Sequence, residues 1–264
     1  MRNIFILLLF YCFSSNNIIA QQNSLEKENR LYHNVRIDEI RKSLADLRIE
    51  VPFKDDSEFL KNVDQLQYPL ERNNIGEYRD VLISIMHKTE IPASFEEKYN
   101  TMYLNELKNI RHLIAHSVGD IYFNEENYGQ AIPYYTLAER HFIYQSLGGT
   151  NITKDWQRLR GDIAECYKAL KNHEMAALYF LSILANGQHF TDYANAQLSK
   201  LIEEQENPKK LKKYIDEIIE SANITSIGVF SLTFQTEIEF SLFFNVTSEK
   251  IKQRIRSSEF YQKF

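Results

Sequence analysis

Residues 119–138 read GDIYFNEENYGQAIPYYTLA, and residues 164–183 read AECYKALKNHEMAALYFLSI. The two strings carry one pattern. Counted from Gly119, Tyr122, Ala131, Tyr135 and Ala138 stand at offsets of 3, 12, 16 and 19; counted from Ala164, the same offsets reach Tyr167, Ala176, Phe180 and Ile183. Recurrence of this kind marks a repeat architecture, in which each unit buries its apolar face against the next.

Within each string the periodicity is helical. Ala131, Tyr135, Ala138 and Phe142 recur at i, i+4, i+7 and i+11, one face of an α-helix. Leu159, Ile163, Cys166, Tyr167 and Leu170 form a matching stripe. Gly119, Ala131, Ala164 and Ala176 are small where two helices of a hairpin cross, so the backbones can approach while aromatic rings fill the space alongside. Asn127 and Asn172 occupy equivalent turn positions, where Asn tolerates the left-handed conformation that ends a helix. The reading therefore centres on His112–Ala185 as two antiparallel helical hairpins.

This arrangement resembles the tetratricopeptide repeat (TPR), a helix–turn–helix unit of about 34 residues. The first unit meets the family pattern fully; the second places Ile183 at its last position. The resemblance implies an all-α fold of stacked helix hairpins forming a right-handed solenoid, clearest over 112–145 and 157–190. Three features depart from the family. The proline that usually follows the second helix is missing from both units. Gly119 and Ala164 stand 45 residues apart, an excess that fits a loop at Leu147–Asn151. Pro133 lies inside the second helix of the first unit, removing a donor, and predicts a local bend. Ser199, Ile202, Leu211, Ile215 and Ile218 repeat the offsets once more, as a weaker third unit.

Around this core, residues 1–20 read as a signal peptide. Arg2 supplies the positive start, Ile4–Phe13 an apolar run too short to span a bilayer, and Ala20 a small residue before the expected cut. Cleavage leaves 30 basic and 36 acidic residues, a formal charge of −6 and no electrostatic footprint for nucleic acid. It also leaves Cys166 as the sole cysteine, so an internal disulfide is excluded and a buried structural thiol is expected. The expected location is secreted or periplasmic, with no stable membrane span after cleavage.

Residues 21–34 are polar and read as a flexible lead-in, and 35–264 as the helical repeat domain. Ile37, Ile40, Leu44 and Leu47 mark a helix before Pro52; Phe59–Leu66 a short one after Asp55-Asp56-Ser57; Tyr78, Val81, Leu82, Ile85 and Met86 another ending near Pro92. Ser94-Phe95-Glu96-Glu97 matches a capping box. Asn207-Pro208 opens a further helix. The lysines at 209, 210, 212 and 213 read as a solvated face, with Lys212–Asp216 and Lys213–Glu217 four apart. Residues 226–246 carry two periods at once. Seven of the eight even positions from Phe230 to Phe244 are apolar, as in a strand, while Phe230, Phe234, Ile238 and Leu242 are four apart, as in a helix. Length favours helix, and helix is the expectation. Glu249–Tyr261 reads as the next.

Little chemistry is announced. His112 and His116 are one helical turn apart, a spacing used by zinc-binding helices, but Leu113 stands where the zincin glutamate belongs and no third ligand is set by spacing. No metal, no cofactor and no catalytic residue is expected. Asn151, Asn223 and Asn245 begin Asn-x-Ser/Thr triplets, relevant only in a eukaryotic secretory path. In the TPR family the first helix of each unit lines the concave face. The resemblance therefore places His116, Asp120, Phe123, Arg158, Glu165 and Lys168 in a groove that takes a peptide or protein segment. The chaperone-type carboxylate clamp is absent, since His116 and Asp120 stand where it needs Lys and Asn. The expected function is a non-catalytic interaction scaffold or adaptor. The alternatives are a detached sensor module of a signalling protein, or a metal-dependent enzyme using His112 and His116.

Overall fold

The computed structural model describes residues 40 and 42, 57–65, 74–90, 101–141, 150–187, 189–227, 229–233, 239–242 and 247–263. The signal peptide, the lead-in, the capping box at Ser94, Phe142 and Asn245 lie outside these residues. Those described are mostly helical: α1 (Ser57–Gln65), α2 (Ile75–Lys88), α3 (Thr101–Asn124), α4 (Tyr128–His141), α5 (Thr150–Ala169), α6 (His173–Asn186), α7 (Thr191–Glu203) and α8 (Pro208–Glu220). Strands β1 (Asn223–Ile227), β2 (Val229–Thr233) and β3 (Glu239–Leu242) follow, then α9 (Ser248–Arg256) and α10 (Glu259–Gln262). From α1 to α8 each described helix packs on the next helix in sequence, giving a run of hairpins. Helix α8 packs on both α7 and α6, as expected of the second helix of a third pair.

Two turns show how closely the units correspond. The α3–α4 turn is closed by Asn127 N–H donating to the Tyr122 carbonyl at 2.8 Å and Glu126 N–H to that of Phe123 at 2.9 Å. The α5–α6 turn repeats both bonds, from Asn172 to Tyr167 and from Lys171 to Lys168, each at 2.9 Å. This is the Schellman arrangement, whose left-handed residue precedes the next helix. That residue is Glu126 (φ 58°) in one turn and Lys171 (φ 59°) in the other, not the asparagines as expected. The asparagines start the following helices instead: Asn172 has φ −87° and its side chain accepts from Met175 N–H at 3.2 Å. An Asn side-chain oxygen caps helix amides so well that this role wins over the left-handed one.

The packing repeats too. Tyr122 stacks on Tyr134 with centroids 5.5 Å apart, and Tyr167 on Tyr179 at 5.7 Å. Gly119 faces Tyr135 where Ala164 and Phe180 stand in the second unit; all four are buried. Helix α4 runs through Pro133 without ending, the ring lying on its exposed side. Thr150 and Asn151, expected in a loop, begin α5.

Helix α6 is the centre. Ala176 to Asn186 are all buried, and α5, α7, α8 and α9 pack around it. Gly187 ends it in the left-handed conformation (φ 69°), its N–H returning to Ile183 O. The Arg254 side chain of α9 lies against that glycine and donates to Ala185 O. The expected start of α8 is present, with Asn207 accepting from Lys210 N–H at 3.3 Å beside Pro208, and the expected Lys213–Glu217 pair forms at 3.5 Å.

The expectation of helix over 226–246 is corrected for the residues described there. β1, β2 and β3 form an antiparallel meander in which Ile224 pairs with Leu232 and Leu232 with Phe240. The two-residue alternation won over the four-residue stripe. Thr, Ile, Val and Phe, which suit a pleated surface, dominate the stretch, and Phe240 supplies an anchor on the helices. It is fully buried, edge-to-face on Tyr179 at 5.3 Å and 4.7 Å from the Arg160 guanidinium. The helix expected over Glu249–Tyr261 is divided into α9 and α10, because Ser257 closes the first and Ser258 precedes the second.

A Cβ added at Gly119 would lie 2.5 Å from Cδ1 of Tyr135, whose ring is held in the core. One added at Gly161 would meet Tyr193 Cε1 at 3.6 Å, ordinary contact. Gly119→Ala should therefore cost about 1–3 kcal/mol, as overpacking does. Gly161→Ala should be neutral or stabilise by up to about 1 kcal/mol. Urea denaturation of the pair decides; equal stability would contradict the helix crossing at Gly119.

Candidate functional site

Helices α3 and α5 bring a cluster of charged side chains to one place. On α3, His116 and Asp120 are four apart and share a face. On α5, Arg158, Asp162 and Glu165 share a face by the same spacing, with Lys168 one turn beyond Glu165. The cluster has two parts.

The first part surrounds His116, whose side chain is 1% exposed. Its Nε2 lies 3.8 Å from Asp120 Oδ1 and 3.6 Å from Asp162 Oδ2. Tyr135, from α4, donates its hydroxyl proton to Asp120 Oδ1 at 2.9 Å and sets its ring edge-to-face with His116 at 5.6 Å. His112 is buried beside it at 5.8 Å between ring centroids. Its Nδ1–H donates to the Ala138 carbonyl at 2.7 Å, which ties α3 to α4 and commits that nitrogen.

The second part surrounds Glu165. Lys168 forms an ion pair with its carboxylate and donates to Gln197 Oε1 on α7 at 2.7 Å. Tyr193, also on α7, donates to Glu165 Oε1. Three first helices of successive pairs are thus joined by polar side chains.

Of the residues expected in a groove, His116, Asp120, Glu165 and Lys168 are found in these two groups. Phe123 packs edge-to-face on Tyr128 at 5.3 Å, at the closed end of the α3–α4 hairpin. Arg158 is half-buried one turn before Asp162. The sequence reading missed Asp162, Tyr135, Tyr193 and Gln197. Asp162 was available from helix spacing alone, four after Arg158 and three before Glu165. Tyr135 was read only as packing, and its hydroxyl contact needs the three-dimensional crossing of α3 and α4.

The field of the site is negative. Burial pushes the Cys166 thiol up to about 12, with Asp162, Glu165 and Asp120 adding to the rise. Burial raises the Tyr135 phenol well above its ordinary value, helped by Asp120 and Asp162, and raises Tyr193 likewise, helped by Glu165. Cys166 is therefore a protonated, buried thiol, the structural role expected of it. Such a site can hold a cation or a basic side chain, and the Cys166 thiol within it is not an activated nucleophile.

These shifts set an alkaline limit on stability. Above the ordinary thiol value of 9.0 the unfolded chain releases a proton that folded Cys166 holds to about 12. The folded state then binds more protons than the unfolded state, so stability, full below about pH 9, falls as pH rises toward the folded value. The urea midpoint should be flat near neutrality and decline above about pH 9, and Cys166→Ala should soften the first part of the decline. A midpoint that rises there would contradict the burial of these groups. Compared with known proteins, the chain matches no protein-family model, no curated protein and no solved structure.

Proposed function

We propose that this chain is a non-catalytic interaction scaffold of TPR-like, right-handed solenoid form. It works outside the cell or in the periplasm after removal of residues 1–20, and it holds a basic peptide or protein segment against α3, α5 and α7. Support for the repeat reading comes from the two matched turns and the two stacked tyrosine pairs. The observation that carries the binding reading is the carboxylate row Asp120, Asp162 and Glu165 on the first helices of successive units, framed by Tyr135 and Tyr193. Fixed carboxylates on successive helices suit recognition of an extended segment by shape and charge. No helix among the described residues is long and apolar enough to cross a membrane.

The test uses residues 21–264 and two peptide libraries, one rich in Lys and Arg and one rich in Asp and Glu, matched in apolar content. Basic peptides should be enriched, and their binding should weaken with salt. Glu165→Gln, which keeps the shape and removes a charge, should lower affinity about fivefold, as loss of one partly exposed ion pair does. Equal enrichment of acidic peptides, or no change in Glu165→Gln, would sink the assignment.

A further inference from the structure

We propose that His116, Asp120 and Asp162 form a binding site for one divalent transition-metal cation of the zinc class. This goes beyond the peptide reading and survives its failure, because the cation alone is the ligand. The argument begins with separation. The nitrogen–oxygen distances of 3.8 and 3.6 Å exceed the limit of about 3.2 Å for an N–H···O hydrogen bond. The three ligand atoms, one per side chain, lie within 4.8 Å of one another. They face each other across a gap instead of closing on each other. Bonds of about 2.0–2.2 Å from zinc to nitrogen and oxygen require spacings of this order, with a small inward movement of the carboxylates.

The arrangement has further marks of a ligand set. Two ligands come from one helix at i, i+4, the spacing that aims both at one point, and the third comes from a different hairpin. Tyr135 donates to Asp120 Oδ1, the kind of outer hydrogen bond that orients a ligating carboxylate. The imidazole selects among cations. Calcium and magnesium prefer all-oxygen shells, whereas imidazole with carboxylates suits zinc and its neighbours. Three protein ligands leave a fourth position for water or for a side chain brought by a partner. His112 stands outside the group of three, its Nδ1–H donating to Ala138 O.

The experiment titrates chelator-treated, metal-free protein with Zn²⁺ by calorimetry, following histidine ring resonances by NMR in parallel. One equivalent should bind with release of protons, and the melting temperature should rise with free Zn²⁺. Asp162→Asn and His116→Gln should each weaken binding by roughly 100-fold or more, and Tyr135→Phe by roughly tenfold, as outer-shell losses do. His173→Gln, on the far turn, should leave the affinity unchanged. If Asp162→Asn does not fold, the intact protein still decides. Zn²⁺ must then shift the ring resonances of the buried His116, and shifts confined to other histidines would overturn the site. Absence of stoichiometric binding, or unaltered affinity in a folded Asp162→Asn protein, would overturn it as well.

Discussion

Helix α6 has no face to offer to water. Eleven consecutive residues from Ala176 to Asn186 are buried, so a single amphipathic partner cannot satisfy it. Helix α5 covers one side and α7 and α8 the next; α9 closes the remainder, with Arg254 reaching the carbonyl of Ala185 at the helix end. The short apolar run that builds α6 thus dictates that the chain wrap around it. The elements after the second hairpin are there to finish that enclosure. A helix of this composition left on a surface would expose an apolar stripe wide enough to drive association.

The close crossings are the second constraint, and they explain what could be read in advance. Gly119, Ala164, Tyr135 and Phe180 declare helix pairs because small and aromatic residues at matched spacing have few other uses. The pairing of α3 with α4 and of α5 with α6 followed from that spacing alone. Ser199, Ile202, Leu211, Ile215 and Ile218 were a fainter copy, and all but Ser199 are buried on α7 and α8. The turns were placed correctly and explained wrongly. Asn127 and Asn172 were assigned the left-handed position, yet Glu126 and Lys171 hold it. Local preference ranks Asn above Glu or Lys at positive φ, but an N-cap one residue later is worth more to the chain than the strain it saves.

Residues 226–246 could not be read because the decisive partner is distant. Phe240 settles on Tyr179 and over Arg160, whose guanidinium also lies 3.1 Å from the Trp156 ring centroid and donates to Glu139 at 2.9 Å. A charged side chain with no exposed surface needs such an enclosure, since desolvating a guanidinium is costly unless charge and ring faces replace water. A strand presents Phe240 in line with alternate neighbours across a narrow sheet. The competing stripe Phe230, Phe234, Ile238 and Leu242 would have directed a rod of side chains at this spot, leaving Glu237 and Glu239 on the flanks of a buried surface. Neither the arginine cage nor its lid is visible in local periodicity.

The same logic governs the polar face. Asp120 and Asp162 approach from different hairpins, and like charges at close range raise each other's cost of ionisation. His116 sits between them, buried, with tyrosine rings and hydroxyls supporting the frame. Packing alone would have been better served by apolar side chains at these positions, since burying a polar group costs free energy that a well-packed hydrophobic substitute avoids. The carboxylates are held in a geometry the core does not require. They stand on helices locked by their own crossings, with the Tyr135 and Tyr193 hydroxyls bonded to Asp120 and Glu165.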